Sequence, residues 1–140
     1  MTRAWVTPAL VLVVATLPAA VWAGALEECY QRTTARPEVT DCLNAAKKAA
    51  TDAMREQFLA VRQSLEDLEK VTGRGGKVAA LKQSQRDFER YLQSHCQVVL
   101  QSFDSGTGAG QAQLACEVDL LRDRAAALKA LAPDRDLTKK

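Results

Sequence analysis

The chain has 140 residues, 47% of them hydrophobic and only 5% aromatic, with 19 Lys plus Arg against 17 Asp plus Glu and one histidine, for a formal net charge of +2. A balance this close to neutral argues against nucleic acid as a partner, because phosphate binding draws on a strong basic excess, and no polybasic run offers itself to an anionic lipid surface. A lone histidine also gives too few ligands for a Cys/His zinc site, so neither a metal nor any other cofactor is expected.

Residues 1–23 read as a secretory signal peptide. Arg3 supplies the positive start, Leu10-Val11-Leu12-Val13-Val14-Ala15 opens the apolar run, and Pro18 ends its helical part. Val21-Trp22-Ala23 fits a peptidase site, and Ala23-Gly24-Ala25 offers a second cut two residues on. The run is short for a transmembrane span and no positive cluster follows it, so stable membrane insertion is not expected after cleavage. A lipoprotein is disfavoured because Leu26-Glu27-Glu28 separates Cys29 from the apolar run. The remainder is one domain's worth of chain, residues 24–131, with 132–140 as a flexible polar tail.

Good helix formers dominate that domain, and the breaks fall where helices would end. A short helix is expected near 25–33. Pro37 suits a helix start, because its missing N–H would be unpartnered in the first turn anyway, which places a long helix near 38–72. On it Met54, Phe58, Val61, Leu65 and Leu68 step by four, three, four and three. Gly73-Arg74-Gly75-Gly76 tolerates the left-handed backbone that ends a helix. A third helix near 77–104 carries Val78, Leu81, Phe88, Leu92, Val99 and Phe103. The turn Ser105-Gly106-Thr107-Gly108-Ala109-Gly110 leads to a fourth helix near 111–131, with Leu114, Val118, Leu121, Ala125 and Leu128 on one face. Pro133 closes the pattern. The fold class is therefore all-α: a small disulfide-stabilised helical bundle of three main helices plus a short N-terminal one.

Four cysteines, Cys29, Cys42, Cys96 and Cys116, allow three pairings. In an exported chain they can close into disulfides, and geometry favours the two local pairs. Cys29 and Cys42 flank the bend at Thr33–Pro37, and Cys96 and Cys116 lie a similar distance either side of the Gly-rich turn. No C-x-x-C or C-x-x-C-H is present to suggest redox or haem chemistry. His95-Cys96 is not a nucleophilic dyad, because neighbouring helical residues point about 100° apart. Glu66, Asp67 and Glu69 read as solvated charge. Arg122 and Arg124 beside Asp119 and Asp123 read as ion pairs along the helix surface. Nothing assembles into a nucleophile, a base and an orienting group, so the chain is not expected to be an enzyme.

The second half carries a recognisable arrangement: Leu81 … Gln85-x-x-Phe88-x-x-Tyr91 … Cys96, a Gly-rich turn, then Cys116 … Arg124 … Leu128. It resembles the LprI-type family of lysozyme-inhibitor-like proteins, small exported bacterial proteins, and Cys29 and Cys42 ahead of a long helix fit the family as well. Departures stand at Phe88, where the family has tryptophan (a change that a core can tolerate), at Leu92 and Gln93, where it has Arg-Asp, and at Leu121, where it has threonine; Leu92 and Leu121 fit the apolar seams and read as packing positions here. Arg124 is retained and reads as a residue covering the disulfide-linked hairpin. The resemblance implies a location in the bacterial cell envelope, periplasmic or secreted, and a protein partner, with lysozyme (a muramidase) as the leading target. The expected partner contact is the turn Asp104, Ser105, Gly106, Thr107 and Gly108. The alternative is a periplasmic structural or adaptor protein that binds another envelope protein. An acidic end built from Glu27, Glu28, Glu117, Asp119 and Asp123 would help steer such a chain to a basic target.

Overall fold

The long helix α2, Arg36–Thr72, is the spine against which the rest is laid. At about 1.5 Å per residue its 37 residues reach roughly 55 Å. The computed structural model describes residues 24–104, 106 and 108–132; the expected signal peptide at 1–23, Ser105, Thr107 and residues 133–140 of the tail lie outside the described residues. The order is α1 (Ala25–Tyr30), α2, α3 (Lys77–Ser102) and α4 (Ala109–Leu131), with no strand among the described residues. The chain is thus an all-α bundle with two disulfides.

Local chemistry sets the boundaries. Pro37 stands in the first turn of α2. Just ahead of it, Thr33 accepts the Ala35 N–H through Oγ1 and donates its hydroxyl to Glu38, folding the bend onto the helix start. α2 ends at Gly73, whose φ of +66° lies in the left-handed region and whose N–H donates to the Glu69 carbonyl. Glu69 also reaches across the turn: its Oε1 accepts the N–H groups of Lys77 and Val78 and so caps α3. Of the acidic run read as solvated, Glu69 is therefore a cap, while Glu66 pairs with Arg62 and Asp67 with Lys70 and Gln63.

Contacts between helices fix their directions. Gln111, in the first turn of α4, meets Arg36 and Thr40, and Glu117 pairs with Lys47, so α4 runs parallel to α2. Cys96–Cys116 and Gln85–Arg124 run the other way, so α3 is antiparallel to α4. α4 shares its largest interface with α2 and the next with α3, whereas α2 and α3 meet over less. The core is one apolar cluster that includes Val39, Leu43, Met54, Val61, Leu81, Val118, Leu121 and Leu128. The expected stripe on α2 is largely covered by the chain itself: Met54 and Val61 are buried, Phe58 and Leu65 half-buried, and only Leu68 near the end is exposed. On α3, Leu81 is buried and Phe88 and Leu92 pack against the core, but Phe103 stands exposed beyond the bundle.

Candidate functional site

Cys96 is fully buried on α3 and bonded to Cys116 of α4, with Cα atoms 5.7 Å apart. Cys29 of α1 is bonded to Cys42 of α2, at 5.8 Å. All four thiols are therefore engaged, and His95 stacks on Tyr91, with ring centroids 5.2 Å apart, instead of facing a thiolate. The sulfurs shape a surface and supply no nucleophile.

The Cys96–Cys116 bond joins the two helices that flank a turn. Phe103 follows the end of α3 and is about half exposed. Asp104 is exposed with φ of +50°, a left-handed conformation that aspartate accepts better than most residues. The turn closes through Asp104 N–H to Gln101 O, Gly106 N–H to Phe103 O at 2.9 Å, and Ala109 N–H to Gly106 O. A Cβ on Gly106 would come within 2.9 Å of the Phe103 carbonyl, so the tight turn requires glycine there. Gly108 is half-buried ahead of α4 and accepts the Ala112 N–H. A groove of about 410 Å³ opens in the first turns of α2 and α4, lined by Arg36, Pro37, Thr40, Gly110, Gln111 and Leu114. Of the expected contact residues, Asp104 and Gly106 are exposed, Gly108 lies at the start of α4, and Ser105 and Thr107 fall outside the described residues.

On the flank of the same hairpin the motif residues come together. Gln85 is buried; its Nε2 donates to Glu89 at 3.1 Å and approaches the Met54 sulfur at 3.4 Å, while its Oε1 accepts from Arg124 Nε at 3.2 Å. Arg124 also donates to Ser84 Oγ and lies over the Phe88 ring, 5.4 Å from its centroid. Burial pushes the Arg124 guanidinium below its ordinary range. The motif thus ties α3 to α4. Leu92 and Leu121, at positions that are polar in the family pattern, pack into the core. An open depression on α3, again about 410 Å³, is lined by Gln83, Arg86, Glu89, Arg90 and Gln93. Tyr91 and Val98 stand exposed on that helix.

The charged run on α4 differs from the sequence expectation. Arg122 does not pair mainly along its own helix: its two terminal guanidinium nitrogens, Nη1 and Nη2, donate to the Glu28 carboxylate of α1, at 2.9 and 2.8 Å, with Asp119 4.0 Å away. Arg122 holds the Glu28 carboxyl below its usual range, and Glu28 in turn raises Arg122. Asp119 accepts the Ala25 N–H at 2.9 Å, and Arg124 turns to α3. Of the expected acidic end, Glu28, Glu117 and Asp119 are taken up in internal contacts, whereas Glu27 and Asp123 are exposed. Sequence reasoning also missed Gln111. It is buried, accepts the Tyr30 hydroxyl at 2.8 Å and donates to Arg36 O and Thr40 Oγ1, joining three helices through one amide. Nothing in the local pattern marks it except a polar residue next to an apolar stripe.

Among the described residues, no helix is long and apolar enough to cross a membrane, and no group of three or more His, Cys, Asp or Glu residues could hold a metal ion. Neither the search of curated proteins nor that of solved structures found a match. The family model described as lysozyme inhibitor LprI matches residues 26–128, which takes in nearly all of α1, the whole of α2 and α3, and α4 to its last turn. Both disulfides and the Gln85–Phe88–Arg124 cluster fall inside that match, and the chain belongs to the LprI family.

Proposed function

We propose that the chain is a non-catalytic protein-binding module of the bacterial envelope that blocks a lysozyme-type muramidase. The observation that carries this reading is the family match, which spans residues 26–128 and so covers nearly the whole stapled bundle. The contact is the α3–α4 turn. It lies between two helices that Cys96–Cys116 joins, and it presents Phe103 and Asp104 to solvent. An exposed aromatic beside a carboxylate has the form of an anchor that enters a cleft while its neighbours exclude water. The mechanism is occlusion of the substrate cleft by that turn. Export directed by residues 1–23 would bring the chain to the compartment where the enzyme and the oxidising conditions are.

The test is titration of the oxidised protein into muramidase assays with lysozymes of several types. Inhibition at micromolar protein is expected for at least one type, and Phe103→Ala should weaken it by tenfold or more, as truncating a central aromatic anchor does. No inhibition of any type would leave the adaptor reading. That second reading is favoured by Tyr91 and Val98, which are exposed on α3 away from the turn. Inhibition insensitive to Phe103→Ala would move the contact off the turn.

A further inference from the structure

Two cut sites compete in the sequence, after Ala23 and after Ala25, and the fold has a use for both residues that the second cut would remove. Ala25 is fully buried in the core cluster, and its N–H donates to Asp119 Oδ1 at 2.9 Å across 94 residues of sequence. Gly24 lies against the same carboxylate: a Cβ placed on it would sit 2.9 Å from Asp119 Oδ2. Its φ of −62° is open to any residue, and the atom a Cβ would meet is a side-chain end that can shift, so glycine leaves room beside the carboxylate without being required by the backbone angle.

We propose that the mature chain begins at Gly24, and that the α-ammonium group freed there pairs with Asp119, so that processing itself completes the docking of α1. The inference rests on the export reading of residues 1–23. The step is hydrolysis by a signal endopeptidase: water adds across the Ala23–Gly24 peptide bond, Ala23 leaves with the carboxylate, and Gly24 keeps the nitrogen, which is protonated. Rotation about the Gly24 Cα–C bond can then carry that nitrogen into the position a Cβ would occupy, because glycine leaves it vacant. The position lies at hydrogen-bond distance from Asp119 Oδ2. Asp119 would hold two successive nitrogens, the Gly24 ammonium on one oxygen and the Ala25 N–H on the other. A cut after Ala25 would remove the buried methyl and leave the carboxylate without either partner.

The charges around the new terminus favour the pair. On α4 these are Asp119 and Arg122, the latter already held by two bonds to Glu28. On α1 they are Glu27 and Glu28, both acidic. On α2 the charge that reaches α4 at this level is Lys47, paired with Glu117. A nearby carboxylate stabilises the ammonium form, so the amine should titrate above the roughly 7.7–8.0 of an ordinary α-amino group.

The test starts from the full precursor, expressed in an exporting bacterium and recovered from the envelope fraction. Terminal sequencing and intact mass should give Gly24 as the first residue. Leu26 in that place would overturn the inference and leave export standing, whereas a chain still carrying residues 1–23 would overturn both. The Gly24 amine, labelled with ¹⁵N and followed by NMR, should titrate above the ordinary value, and Asp119→Asn, which keeps an oxygen for the Ala25 N–H, should bring it back. A second variant, with one alanine inserted between Ala23 and Gly24, moves the ammonium away without touching Asp119 and should titrate normally. Equal values in all three proteins would overturn the pairing.

Discussion

The two disulfides close loops of similar length in unlike surroundings. Cys96–Cys116 joins helices of 26 and 23 residues that already share an apolar interface, with Leu81, Leu121 and Leu128 buried along it. Cys29–Cys42 holds a helix of six residues, far too short to persist alone in water. Around it lie three separate polar links to α4: Ala25 N–H to Asp119, Glu28 to Arg122, and the Tyr30 hydroxyl to Gln111. The same covalent bond is a clamp on a finished interface in one place and part of a multi-point anchor in the other.

The largest effects should come from breaking each bond in turn. The sequence separations of 13 and 20 residues correspond in the chain-entropy model to about 3 kcal/mol apiece. Cys29→Ala with Cys42→Ala and Cys96→Ala with Cys116→Ala should therefore lower the urea midpoint by similar amounts. Hydrogen exchange should separate them. The first pair of substitutions should strip protection from residues 25–30 and spare α2 to α4. The second should loosen the α3–α4 turn and leave α1 protected. Identical exchange patterns would erase the distinction between clamp and anchor.

Next in size are the two buried amides, one in each region. Gln111→Ala removes the acceptor of the Tyr30 hydroxyl and the donor to Arg36 O and Thr40. Unsatisfied groups of this kind cost about 1–3 kcal/mol. Gln85→Ala strands Arg124 Nε, but Arg124 keeps Ser84 and the Phe88 ring, so the loss should be nearer 1 kcal/mol. Chemical denaturation of the two variants checks the order. A reversed order would mean that the motif cluster and not the anchor region is the more tightly determined. Arg124→Lys should cost nearly as much as Arg124→Ala, because an ammonium cannot keep both the Gln85 bond and the stacked plane over Phe88.

How much of this could be read from the sequence divides along the same line. Helix ends and faces were legible because they are local: Pro37 and Gly73 mark the ends of α2, and steps of three and four picked out Met54, Val61, Val118, Leu121 and Leu128, all buried. The helix starts and stops lie within three residues of expectation, the differences falling at the two bends, within 31–37 and 103–110. What could not be read is register. Periodicity tells which face of α4 is apolar but not which level of α1 meets it, so Asp119 and Arg122 looked like partners of their own neighbours. Their bonds to Ala25 and Glu28 cross 94 residues and follow only from where the Cys29–Cys42 link and the core set α1 down. At the turn, local signals marked the break between the helices and its glycines, but the exposure of Phe103 depended on α3 ending at Ser102, one residue before the last apolar position of its stripe.

The smallest effect expected is also the one that tests the anchor most selectively. Hydrogen bonding to Arg122 holds Glu28 below its ordinary value of 4.5, against a smaller opposing push from burial. A carboxyl whose folded value is depressed adds stability that is fully present above the unfolded value and is lost as pH falls through the lower, folded one. Both side chains are about two-fifths exposed, at 38% and 39%, so solvent screening should keep the pair under about 1 kcal/mol even with its two-bond geometry. Glu28→Gln should therefore cost a fraction of that at neutral pH. The gap between wild type and variant should shrink as pH is lowered through and below the ordinary carboxyl value, and added salt should shrink it at neutral pH. Asp67 and Asp87, also depressed by neighbours on their own helices, titrate in the same acid range, but they are common to both proteins and drop out of the difference. A gap that stayed constant with pH would mean that the side chain matters for packing alone, and α1 would then be held by the disulfide, Asp119 and Tyr30 without help from charge.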